Sequence, residues 1–89
     1  MSNLPTAIIL SNFKIMYKDD VRINASTISN LLAEKGALSF NEISEFTDFK
    51  EPLILLALGW LLKEDKVYIF EKNDVVYIEL IRNFPEFYF

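Results

Sequence analysis

The chain has 89 residues, which makes one domain with room for one modest core. Hydrophobic residues make up 52% of it and aromatics 15%, more apolar surface than so small a domain hides, so some of it is expected to meet a partner. Lys and Arg number 9 against 13 Asp and Glu, and the net charge of −4 disfavours a general nucleic-acid binder; with neither Cys nor His, disulfides, thiol chemistry, Cys-based zinc sites and the commonest general base are excluded.

Residues 1–6 read as a loose start, with Pro5 blocking regular structure. Residues 7–18 are ambiguous. Ile9, Phe13, Met16 and Tyr17 fit a helical face, while Ile8, Ile9, Phe13, Ile15 and Tyr17 suit a strand, and the reading leans to helix. The apolar run Ala7-Ile8-Ile9-Leu10 is short and no charged segment precedes it, so neither a signal peptide nor a spanning helix is expected. The expectation is a soluble cytoplasmic protein. Lys18-Asp19-Asp20 reads as a polar break.

A helix follows over 24–35, capped by Asn24 or Ser26, with Ile28, Leu31 and Leu32 as its buried stripe. Gly36 supplies the left-handed conformation that stops it. Ala37-Leu38-Ser39-Phe40 is a short extended link. Ser39 and Glu42 match a capping box, so a second helix runs over about 40–47 with Ile43 and Phe46 inward. Thr47-Asp48-Phe49 is the turn, and Asp48 is expected to cap a third helix that carries Pro52 in its first turn and ends near Glu64 or Asp65. Val67–Glu71 and Val75–Leu80 then form a β-hairpin around Lys72-Asn73-Asp74. The last residues hold Phe84, Phe87, Tyr88 and Phe89, with Pro85 limiting regular structure.

Helix, extended link, helix, helix and hairpin is the order of a winged helix-turn-helix. The chain also resembles a family of small prokaryotic winged-helix proteins of unknown function. The resemblance rests on Asn24-Ala25, Leu31 or Leu32, Glu34-Lys35-Gly36, Leu38-Ser39 and above all Ala57-Leu58-Gly59-Trp60-Leu61. It runs from Asn24 to about Leu80. It implies a fold, no particular reaction, and homodimers among its relatives. The family has Gly after the third helix where Asp65 stands here, and Asp adopts the left-handed region only at some cost. The expected fold is therefore α+β, a three-helix core plus a wing: an N-terminal extension over 1–20, the winged helix-turn-helix over 21–81, and an aromatic tail over 82–89. Its core is expected to hold Ile28, Leu31, Leu32, Leu38, Ile43, Phe46, Ile54, Ala57, Leu58, Leu61, Val67, Ile69 and Tyr77 or Ile78.

The third helix holds the position of a DNA-reading helix, but its chemistry does not suit one. With Ile54, Ala57, Leu58 and Leu61 inward, Pro52, Leu56, Gly59 and Lys63 point outward, flanked by Leu53, Leu55, Trp60 and Leu62. Base edges are read by groups such as Arg, Lys, Asn and Gln, and on that face only Lys63 qualifies. From Ser39 to Lys66 the bases Lys50, Lys63 and Lys66 face Glu42, Glu45, Asp48, Glu51, Glu64 and Asp65, a balance that repels phosphates. DNA binding, the alternative, would fall to Lys50, Lys63, Lys72 and Asn73. The favoured reading is a non-enzymatic interaction module, a homodimer or a binder of another protein, that buries Leu55, Leu56, Gly59, Trp60 and Leu62 or the tail. Trp is an interface-anchoring residue type, and a glycine inside a helix suggests close approach of another chain. The competing reading packs Trp60 and Gly59 inside the monomer, against the N-terminal segment or the tail. Stacking of the tail aromatics on single-stranded bases is disfavoured, because only Arg82 lies near them.

Catalytic residues, cofactor and metal are not expected. Gly36 and Gly59 are the only glycines, so no phosphate-cradling loop exists, and the pairs Asp19-Asp20 and Glu64-Asp65 read as solvated caps.

Overall fold

A computed structural model describes residues 17–82. Their elements are α1 (Lys18–Lys35), β1 (Leu38–Ser39), α2 (Phe40–Thr47), α3 (Glu51–Lys63), β2 (Val67–Lys72) and β3 (Val75–Leu80). The strands form one antiparallel sheet in the order β1-β3-β2. Nearly all of the ambiguous segment 7–18 and the tail aromatics Phe84, Phe87, Tyr88 and Phe89 lie outside the described residues.

The first helix begins six residues earlier than its apolar stripe suggests, at Lys18 rather than Asn24. Lys18-Asp19-Asp20 is its first turn, not a break, and Asn24 and Ser26 lie in its interior. The physical reason is electrostatic and local. Asp19 and Asp20 sit at the positive end of the helix dipole. The Asp20 carboxylate accepts a hydrogen bond from the Tyr17 N–H at 2.9 Å, and Arg22 pairs with Asp19 at 3.0 Å. Ala25, Ile28 and Leu32 form the buried face, and Leu31 packs at its margin. Gly36 ends the helix with φ 87° and ψ −160°, not the left-handed helical pair, in a region that only glycine occupies readily. Its N–H donates to the Leu32 carbonyl at 2.9 Å.

The capping box at α2 forms as its residues require. The Glu42 N–H donates to Ser39 Oγ at 3.1 Å, and the Ser39 N–H donates to Glu42 Oε1 at 2.8 Å. Ile43 is fully buried, but Phe46 is 53% exposed and does not point inward. In a helix of eight residues only Ile43 is fully buried, with Phe40 packed at the core's margin, and Phe46 instead takes the Lys35 ammonium over its ring at 4.6 Å. Asp48 stands in the left-handed region, φ 63°, and closes α2 rather than opening α3. Thr47 prepares that turn, its hydroxyl donating to the Ile43 carbonyl at 2.7 Å and accepting from the Phe49 N–H at 3.1 Å.

The end of α3 carries the turn that the missing glycine puts in question. Asp65 adopts φ 57°. The Asp65 N–H donates to the Leu62 carbonyl at 3.0 Å and the Lys66 N–H to the Leu61 carbonyl at 2.9 Å. This nested pair is a Schellman motif, which satisfies the last carbonyls and turns the chain straight into β2. The hairpin then reverses on two residues of positive φ, Asn73 at 54° and Asp74 at 65°, between the paired Lys72 and Val75. That is the type I′ turn, whose twist matches the strands.

One core joins these elements. Leu38 of β1 and Ile78 of β3 are direct partners, and both are buried with Ile28, Leu32, Ile43, Ile54, Ala57, Leu58, Leu61 and Val67. Ile69, expected inside, is 41% exposed. It lies on the same face as Val67 and opposite the fully buried Ile78, but it stands on the edge strand β2, where the cover over the central strand β3 no longer reaches.

Candidate functional site

α3 is helical for local reasons that leave its outer face free to be anything. The Lys50 carbonyl accepts from the Leu53 and Ile54 N–H groups at 3.0 and 3.1 Å, and Pro52 occupies the first turn, where its missing N–H costs nothing. Ile54, Ala57, Leu58 and Leu61 are buried, and α1 is the main element packed on that face. On the opposite side Leu55 is 54% exposed, Leu56 52% and Leu62 43%. Gly59 is exposed between them, and an added Cβ there would meet no atom of the described residues within 4 Å. The four make a continuous strip along a helix about 20 Å long.

Trp60 bounds the strip. It is half-buried, packed against the core on one side, with the Lys63 ammonium over its ring at 4.3 Å. It also lines a shallow groove of about 290 Å³ with Arg22, Ala25, Ser26 and Glu64, between α1 and the last turn of α3. The segments that could pack over Gly59 and Trp60 within the monomer, the N-terminal residues and the tail, lie outside the described residues.

The basic residues do not come together. Lys50 stands exposed at the start of α3 beside Glu51, and Lys63 lies at the other end, about 20 Å away. Lys63 is further occupied by Glu64, whose Oε2 lies 3.1 Å from its ammonium. Lys72 and Asn73 are exposed at the wing tip between Glu71 and Asp74. Each lysine in the set has an acid beside it in sequence, Glu51 for Lys50, Glu64 for Lys63 and Glu71 for Lys72.

Sequence reasoning missed the outer face of the wing. Tyr68, Phe70 and Tyr77 form a row of rings there, with centroids 5.9 Å apart for Tyr68 and Phe70 and 5.5 Å for Phe70 and Tyr77. Tyr68 donates its hydroxyl to Glu79 Oε1 at 2.6 Å. That hydrogen bond, then partial desolvation and the carboxylate's charge, hold the phenol above its ordinary value of 10.0. The signal was present in the spacing, since Tyr68 and Phe70 alternate along one strand and Phe70 meets Tyr77 in the hairpin register. Among the described residues no group of three or more acidic side chains converges as a metal site would require, and no helix is long and apolar enough to cross a membrane.

A family model described as a winged helix-turn-helix domain (DUF2582) matches residues 16–80. No curated protein matches the chain.

Proposed function

From a chain that belongs to this family of winged helix-turn-helix domains, we propose a non-enzymatic interaction module that forms a homodimer through the outer face of α3. The observation that carries this reading is the exposure of Leu55, Leu56 and Leu62 on the helix that a DNA-binding relative of this fold would set in the major groove. Burying such side chains against a second copy is worth about 25 cal/mol for each Å² removed from water. Gly59 in the middle of the strip lets the two helices approach closely, and Trp60 at its margin supplies a rigid aromatic anchor. The two-fold arrangement makes the strip its own complement. A Leu56→Glu variant tests it: in dilute solution the mass should halve while the fold is retained, because Leu56 takes no part in the core. An unchanged mass would remove α3 from the interface.

The second reading is a DNA-binding regulator using Lys50, Lys63, Lys72 and Asn73. What favours it is the exposure of Lys50 at the start of α3 together with Lys72 and Asn73 at the wing tip, the two places where this fold meets a duplex. Its affinity would fall steeply as salt rises. A titration of labelled duplex with no salt-dependent binding would dismiss it.

A further inference from the structure

The sheet order leaves β2 with β3 as its one neighbour among the described residues, and within that set the other edge of β2 is open. This edge has charged residues only at its ends, Lys66 before the strand and Glu71 and Lys72 at its close, and it lacks the other usual defences. Its sequence is Val67-Tyr68-Ile69-Phe70-Glu71-Lys72, its register against β3 is one-to-one throughout with no bulge, and it contains no Pro. The backbone fixes which groups face outward. The Ile81 N–H donates to the Lys66 carbonyl at 2.8 Å, and Lys66 lies opposite Ile81 by continuation of the hairpin register. In an antiparallel pair, residues alternate between bonding to the partner and pointing away from it. Lys66, Tyr68, Phe70 and Lys72 therefore bond toward β3. Val67, Ile69 and Glu71 turn both N–H and C=O toward the open edge.

We propose that this edge pairs antiparallel with β2 of a second copy, about a two-fold axis between the two Ile69 residues. A two-fold perpendicular to the sheet sets residues of like parity opposite each other. Of the registers it permits, the Ile69-centred one satisfies every open group within the strands: Val67 exchanges bonds with Glu71 of the second copy, Ile69 with Ile69, and Glu71 with Val67. Shifting by one step in either direction pairs a strand residue with Asp65 or with Asn73, both of which have positive φ and cannot continue a ladder. The same register sets Tyr68 opposite Phe70 of the second copy in a close, non-hydrogen-bonded pair. It thereby continues the ring row of Tyr77, Phe70 and Tyr68 across the seam of a six-stranded sheet. Lys66 falls opposite Lys72 at each end, a repulsion that salt screens, so this pairing tightens as ionic strength rises. The inference stands apart from the α3 interface, since it uses none of that helix's residues.

The chain has no Cys, so a single one reports cleanly. In the proposed pair the two residues 69 lie with Cα atoms about 5.5 Å apart, within disulfide reach. Ile69→Cys should become a covalent dimer on mild oxidation of the full chain. Val76→Cys, equally exposed and on the same sheet face, should remain mostly monomeric on a denaturing gel. Placing both probes in the Leu56→Glu background separates this pairing from the α3 interface: the contrast should persist there. Ile69→Lys, which puts like charges on the two-fold, should halve the mass of Leu56→Glu at high concentration while its thermal unfolding stays cooperative. Equal cross-linking at 69 and 76, or a Leu56→Glu mass indifferent to Ile69→Lys, would overturn the proposal.

Discussion

Gly59→Ala separates what the monomer prefers from what an interface demands. Gly59 lies in the interior of α3 and is exposed, and among the described residues no atom occupies the place where a methyl group would go. Within the monomer the substitution is therefore a change of helix propensity alone, worth about 1 kcal/mol in favour of Ala. For a domain of this size that raises the unfolding midpoint by about 4–8 °C. Across a close helix–helix seam the same methyl overpacks, at about 1–3 kcal/mol, weakening association roughly 5- to 150-fold. Thermal unfolding should be followed by circular dichroism at a concentration low enough to keep the chain monomeric, and association by sedimentation at higher ones. The expected outcome is a higher midpoint together with a larger dissociation constant. A lower midpoint would mean that part of the chain itself packs over Gly59, and a higher midpoint with unaltered association would mean that no second chain approaches it.

Three further outcomes follow from local geometry. Ser39→Ala removes the acceptor for the Glu42 N–H and should cost about 1 kcal/mol, read as a lower midpoint in urea at unchanged slope. Asp65→Gly relieves the left-handed strain at the end of α3 and should raise stability by about 1 kcal/mol, with the Schellman bonds of Asp65 and Lys66 retained in hydrogen exchange. Tyr68 should titrate above 10.0 by absorbance, and Glu79→Gln should bring it down toward that value. Since its folded value is raised, the stability it contributes is fully present below pH 10.0 and is lost as pH climbs through the folded value; Glu79→Gln should flatten that alkaline loss.

The sequence made most of the fold legible because its punctuation was chemical. Ser39 with Glu42 marked one helix start, Gly36 marked a helix end, and Asn73-Asp74 marked the hairpin, each through a hydrogen bond or a positive φ that few residues provide. The start of α1 was misread because its first turn has little apolar stripe. There the helix is held by Asp19 and Asp20 at the dipole and by the Tyr17 to Asp20 bond, which periodicity does not register. Asp48 was read as an opening cap because a cap residue between two helices serves either one, and φ 63° decides for the earlier. Phe46 and Ile69 were expected inside because hydrophobicity is visible in a sequence while the reach of a short helix or a strand's place at the sheet edge is not. The strip on α3 was readable from helical phase alone, since Leu55, Leu56 and Leu62 fall opposite Ile54, Ala57, Leu58 and Leu61. The row of rings on the wing needed the hairpin register before it could be drawn.

The claim that α3 is an interface between copies rather than a reader of bases is tested most directly by light scattering behind size exclusion. The chain and its Leu56→Glu variant would be run at two salt concentrations, with and without a generic DNA duplex. The expected result is that the chain runs at twice the variant's mass at matched dilute concentration and that neither shifts with duplex at either salt. A chain and a variant of equal monomeric mass that both move with the duplex at low salt only would contradict it, and would assign Lys50, Lys72 and Asn73 to phosphate contacts instead.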